Sequence, residues 1–361
     1  FKILGKCREI VKKEKQGHNI IRYLLYSLNN KIIKKQYNHE SCERLSDLNL
    51  DYGCIPFDEM PFNSSLKNHN PRLVDLFGCI DTNHREHEIF ARLIRNNTEQ
   101  KGQLYTAKKE IRNFENIEGL MRIYNNNLYY KHCNRRLKEY KGHIFIKGYE
   151  VDTFHIINKL KRLSSNGIKN YTNSVNAWLQ SSYTIDCNEK VEALKGIFEK
   201  SKVALIYGAA GTGKSTMINH ISILFNDENK LYLAHTNPAV DNLKRRVNAA
   251  NCDFKTITKF LSNKNNEYEY DILIIDECST VSNSDMLKVL DKASYKLLVL
   301  VGDIFQIESI LFGNWFSLAK AFVPDSAVFE LTKPYRTNNN NLLTELLSIV
   351  VENSSKCLQL L

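Results

Sequence analysis

The stretch Val203-Ala-Leu-Ile-Tyr-Gly208-Ala-Ala-Gly211-Thr212-Gly213-Lys214-Ser215-Thr216 constrains this chain more than any other. An apolar run of strand length enters a glycine-rich turn ending Lys-Ser-Thr, and a helical pattern follows over 216–224. That is the setting which the phosphate-binding pattern G-x-x-x-x-G-K-[ST] requires. Glycines allow a tight turn that aims successive N–H groups into one concavity, and the following helix adds its positive end. Gly208, Gly211, Thr212, Gly213, Lys214, Ser215 and Thr216 form the candidate cradle, with Lys214 reaching the β/γ-phosphates and the Ser215 hydroxyl on Mg²⁺.

Beyond a polar stretch at 180–184, apolar runs at 203–207, 231–234, 271–275, 296–301 and 327–331 alternate with helical patterns at 191–198, 238–247 and 284–290. Continuous rather than alternating hydrophobicity marks strands covered on both faces, as in a parallel sheet. An α/β, doubly wound nucleotide-binding domain is therefore predicted over 186–361, with its ligand at the carboxyl ends of the strands. Residues 1–185 read as a mainly α-helical, basic accessory region. Helical patterns run over 2–35, 73–96, 111–130 and 154–163, an irregular stretch extends to about 71, and 142–148 looks like a strand.

Each predicted strand ends in a polar cluster. After 271–275 come Asp276 and Glu277: the first carboxylate suits Mg²⁺ held through water, the second a proton accepted from an attacking water. After 296–301 comes Gly302-Asp-Ile-Phe-Gln306, whose glutamine amide both donates and accepts and can sense the γ-phosphate and the water together. After 327–331 comes Thr332-Lys-Pro-Tyr335-Arg336, whose guanidinium can offset charge building on the phosphate.

In order, Gly208 to Thr216, Ala234-His-Thr-Asn-Pro-Ala-Val-Asp-Asn-Leu243, Asp276-Glu-Cys-Ser279, Gly302 to Gln306 and Tyr335-Arg336 resemble motifs I, Ia, II, III and IV of superfamily 1 helicases, most like the RecD-like branch. The resemblance covers 186–361. It implies a RecA-like P-loop NTPase sheet, ATP and Mg²⁺ as cofactors, single-stranded DNA as partner with RNA as the alternative, and an ATP-dependent DNA helicase or translocase. It puts Lys214 on the phosphates, Ser215 and Asp276 on Mg²⁺, Glu277 as catalytic base, Gln306 as γ-phosphate sensor and Arg336 as arginine finger. Tyr335 would stack near the adenine, and His235, Thr236 and Asn237 would approach the nucleic-acid backbone.

There are departures from the pattern. No glutamine stands at 189–191, where an adenine-reading one is expected. Thr256-Ile-Thr258 has Thr where His is usual in motif Ib, and Cys278-Ser279 replaces the usual pair. Motifs V and VI of a second RecA-like domain do not follow Arg336, so the chain reads as a fragment whose closing partner is expected elsewhere. The alternative function on the same fold is a nucleotide-dependent switch that regulates a partner or nuclease without unwinding.

The nine cysteines are scattered without a C-x-x-C pair, which fits free thiols in a reducing cytoplasm. Cys42, Cys54, Cys79, His84 and His87 match no zinc spacing, and buried thiols with surface histidines are expected there. No run approaches the roughly 18 apolar residues of a membrane span, and no signal-peptide pattern opens the chain. A cytoplasmic location with no membrane partner is expected.

Residues 1–185 hold 31 Lys+Arg against 19 Asp+Glu, and the remainder 19 against 21. The basic excess thus lies in the first half, as a polyanionic partner or merely Lys-rich solvated helices would have it. Tyr124, Tyr129, Tyr130, Tyr140, Phe145 and Tyr149 interleave with Lys131, Arg135, Arg136, Lys138, Lys141 and Lys147. Such a pattern suits stacked bases, but core positions are the favoured reading. Asp58, Glu59, Asp81, Glu86 and Glu88 have no spacing that separates metal carboxylates from solvated charge.

Overall fold

The structure is a computed structural model that describes residues 2–15, 18–27, 72–79, 82–128, 130–181, 183–263, 269–303 and 313–333. The chain divides into Phe1–Val151 and Asp152–Leu361.

In the first unit, helices α1 (Lys2–Lys12), α2 (His18–Ser27), α3 (Leu73–Cys79), α4 (Glu86–Lys101) and α5 (Ile117–Asn127) accompany strands β1 (Thr106–Ala107), β2 (Leu137–Tyr140) and β3 (His143–Ile146). The strands form an antiparallel sheet in the order β1-β3-β2. The helix expected over 73–96 is two helices. His84, between them, has φ of 60°, a left-handed conformation that ends any right-handed helix.

Phe90, Ile94, Leu120, Tyr124, Leu137 and Ile144 form this unit's core. Of the interleaved aromatics, Tyr124 and Phe145 are buried, and the Tyr149 hydroxyl donates to Glu99. Tyr140 stays exposed, with Lys141 Nζ 5.3 Å from its ring centre. Tyr124 lies in that core and Tyr149 packs against it, while Phe145 is buried outside it. Glu88 is buried and paired with Arg85 at 3.0 Å. Among the described residues no group of three or more His, Cys, Asp or Glu is placed to hold a metal ion. Cys42 and Cys54 lie outside the described residues.

The second unit is built on six parallel strands: β4 (Val203–Gly208), β5 (Lys230–Ala234), β6 (Cys252–Thr256), β7 (Glu269–Ile275), β8 (Ser294–Gly302) and β9 (Val328–Leu331). Their order is β6-β5-β7-β8-β4-β9. Successive residues of a strand face opposite sides, so a continuous apolar run supplies both faces.

Val203, Leu205, Leu231, Leu233, Leu273, Ile275, Leu298 and Leu300 share one core with α6 (Lys147–Leu163), α11 (Ile257–Ser262), α12 (Asn283–Lys292) and α13 (Trp315–Phe322). Ala204, Ile206, Tyr232, Ala234, Ile272, Ile274, Val299 and Val301 share the other. That second face is covered by α7 (Tyr171–Gln180), α8 (Asn188–Gly196), α9 (Lys214–Leu224) and α10 (Asn237–Arg246). The sheet is thus doubly wound, and its helical cover begins ahead of residue 186. No helix among the described residues is long and apolar enough to cross a membrane.

Trp315 is fully buried against Phe316, and its indole N–H donates to the Val281 carbonyl at 2.9 Å. Trp315→Ala removes the largest of the buried side chains and leaves that carbonyl without its donor. The expected cost is about 3–5 kcal/mol, read from denaturant unfolding. A loss below 1 kcal/mol would show that the site collapses around the smaller residue.

Candidate nucleotide site

The loop after β4 is shaped by close packing. A Cβ on Gly208 would stand 2.5 Å from Thr212 Oγ1 and 3.0 Å from the Leu331 carbonyl oxygen, so no larger residue fits without displacing one of them. Gly211 and Gly213 have φ of 89° and 85°, where a side chain is strained. Buried Thr212 donates its hydroxyl to the Ala209 carbonyl at 3.0 Å. Helix α9 starts at Lys214, so its first N–H groups open onto the loop. Lys214 Nζ donates to the carbonyls of Gly208 at 2.6 Å and Ala209 at 2.9 Å.

Two strands away, past β8, β7 delivers Asp276 and Glu277. Asp276 is buried and accepts the Glu277 backbone N–H at 2.9 Å, while Glu277 takes a left-handed conformation with φ of 55°. Burial pushes the Asp276 carboxyl up to about 6, and the charge of Glu277 adds to that. The Glu277 N–H bond and the charges of Lys214 and Arg246 oppose the rise.

A raised native value means that the folded chain holds this proton more tightly than the unfolded one. The resulting stabilisation is complete below the ordinary value of about 4 and is lost as pH rises through about 6. Asp276→Asn, which keeps an acceptor for the Glu277 N–H, should therefore raise the melting temperature at pH 8. The gain should shrink towards pH 5, as a thermal denaturation series would show. A constant offset between the two proteins across that range would contradict the assignment.

The loop and the acidic pair border one cavity of about 310 Å³. Its lining includes Gly211, Gly213, Lys214, Ser215 and Thr216 from the loop and α9, Asp276 and Glu277, Gly302 and Asp303 from the end of β8, and Asn242 and Arg246 from α10. Gly208 and Thr212 are not in that lining but give the loop its curve. His235, Thr236 and Asn237 stand exposed beyond β5 and do not border the cavity; the Thr236 hydroxyl caps α10 by accepting the Ala239 N–H at 3.3 Å. Gln306, Tyr335 and Arg336 lie outside the described residues.

Asn242, Arg246 and Asp303 are lining residues that the motif reading did not single out. Their signal was weak: Asn242 and Arg246 are four apart, hence on one face of α10. Where a glutamine was expected, Glu189 Oε1 accepts the N–H of Thr332 at 2.9 Å and its hydroxyl at 2.7 Å. Thr332 follows Leu331, the partner of Gly208 in the β4/β9 register, so this carboxylate sits on the edge strand beside the loop.

Residues 188–361 match the family model described as AAA domain. No curated protein sequence matches the chain at a significant level. Among solved structures, Pif1 from Bacteroides sp in complex with ADP-AlF4 is similar at 20% identity over 46% of this chain and 46% of that one, with a TM-score of 0.33. Pif1 helicase from Candida albicans is similar at 18% identity over 46% of this chain and 44% of that one, with a TM-score of 0.29. Arterivirus nonstructural protein 10, a helicase solved with DNA, is similar at 15% identity over 38% of each chain, with a TM-score of 0.26. The chain spans under half the length of these helicases. With the AAA domain model matched over this segment and the loop, acidic pair and strand order in place, the second unit has a P-loop nucleotide-binding fold, and residues 188–361 are similar to an AAA domain.

Proposed function

We propose that this chain hydrolyses ATP to ADP and phosphate in the cavity between the β4 loop and the β7 acids. In the whole protein, hydrolysis would drive movement along single-stranded DNA, with residues 1–185 as an accessory region and a second RecA-like domain closing on the nucleotide. One juxtaposition supports the reading most: Lys214 and Ser215 line the same cavity as Asp276 and Glu277.

The loop N–H groups and the Lys214 ammonium bind the phosphates, and the ammonium exchanges its bonds to the loop's own carbonyls for phosphate oxygens. The Ser215 hydroxyl and the Asp276 carboxylate offer oxygen donors, the set that suits a hard cation such as Mg²⁺. Bound there, Mg²⁺ would offset charge on the phosphate oxygens. Glu277 takes the proton of the attacking water. Gln306 and Arg336 are assigned to γ-phosphate sensing and to transition-state charge, and Tyr335 to the adenine, on motif order alone. His235, Thr236 and Asn237, exposed beyond β5, are the candidates for the nucleic-acid backbone.

The test is the ATPase rate of the whole protein with no nucleic acid, with single-stranded DNA and with single-stranded RNA, over a salt series. DNA should stimulate turnover, and the stimulation should fall steeply with salt because phosphate contacts release counterions. Stimulation by RNA alone would reassign the partner. Turnover absent under all three conditions would remove the proposal.

A further inference from the structure

The cavity has a second basic group besides Lys214. Arg246, in the last turn of α10, borders it together with Asn242. Basic residues in a final helical turn are ordinarily there for the helix dipole, and the neighbouring Arg245 behaves so, its Nε donating to the Asp241 carbonyl at 3.3 Å. Arg246 does not. Its Nε donates to the side-chain oxygen of Asn242 at 3.0 Å, and Asn242 itself faces the cavity. The side chain is thereby held towards the cavity by a partner that faces it too. Among the described residues Arg246 forms no ion pair, and the Asn242 bond, made by Nε, leaves the outer nitrogens of its guanidinium for the oxygens of a phosphate.

Sheet order says which phosphate that is. The loop rises from β4, on one side of β8, while β7 with Asp276 and Glu277, and β5 with α10 after it, lie on the other. A nucleotide whose inner phosphates sit in the loop extends its outermost phosphate towards the acid that activates water. Arg246 and Glu277 border the cavity from that same side.

We propose that Arg246 contacts the terminal phosphate of the bound nucleotide from within this domain, and so lets the site distinguish a nucleoside triphosphate from a diphosphate. The inference rests on the ATPase reading above. Across a cavity lined by Asp276, Glu277 and Asp303, a second cation also offsets the repulsion that these carboxylates exert on an incoming triphosphate.

Calorimetric titration of the whole protein with ADP and with a non-hydrolysable ATP analogue tests it, using wild type, Arg246→Ala, Arg246→Lys and Arg245→Ala. Loss of a charge-assisted contact should weaken analogue binding by Arg246→Ala about tenfold or more, with ADP binding within about twofold of wild type. Arg246→Lys should restore part of the loss, and Arg245→Ala should bind both ligands as wild type does. Arg246 is exposed, so its variants should melt with wild type. Equal weakening of ADP and analogue, or no weakening of either, overturns the inference and leaves the ATPase reading standing. Wild type binding neither ligand would remove both.

Discussion

Lys214→Ala is expected to weaken nucleoside triphosphate binding by about 10- to 10²-fold, the scale of losing a hydrogen bond between charged groups. The fold should survive. Lys214 is part-buried at the mouth of the loop, and the two carbonyls it now engages, those of Gly208 and Ala209, lie at the mouth of the loop, where water can replace the ammonium. A fluorescent-nucleotide titration beside a melting curve separates the two effects. Wild-type affinity in the variant would mean that the loop N–H groups carry binding alone and that Lys214 only braces the turn. A collapse of the melting transition would make it a structural lysine instead.

Glu277→Gln should leave triphosphate binding within about threefold of wild type and lower turnover by about 10²–10⁴, the usual contribution of a positioned general base. The substitution is a clean one here. Glutamine has the same shape, and it keeps both the left-handed backbone at φ of 55° and the N–H bond to Asp276, which belongs to the main chain. Single-turnover and steady-state rates, compared with the binding constant, place the loss in the chemical step. If Glu277→Gln turns over within twofold of wild type, the base is another group, and Asp303, the remaining carboxylate of the cavity, becomes the residue to change.

What could be read from the sequence follows from how local each signal is. Strands β4, β5, β7 and β8 announce themselves as continuous apolar runs because both faces are covered, and β9, at one edge, keeps only a short run broken by the exposed Glu330. β6 does not: Cys252-Asp-Phe-Lys-Thr256 is an edge strand whose residues are all half-buried, so its composition is that of a loop. The break between α3 and α4 was hidden because Gly78 lies within α3 rather than at the positive-φ position, which a histidine adopts. The cradle and the acidic pair were legible since each is a few adjacent residues at a strand's end. Arg246 was not, because its place depends on α10 lying across the mouth of a cavity whose other walls come from residues far away in the chain.

The packing at Gly208 bears on the thermodynamics of ligand capture. With Thr212 and the Leu331 carbonyl closed around a position that tolerates no Cβ, the loop has its curvature before any phosphate arrives. Fixing a backbone residue from a mobile state opposes association by about 1–2 kcal/mol, and a loop already set in shape escapes that entropy loss at each of its residues. Association should then be governed by diffusion and charge rather than by waiting for a competent loop, so nucleotide should bind in a single concentration-dependent phase whose rate rises as salt is lowered.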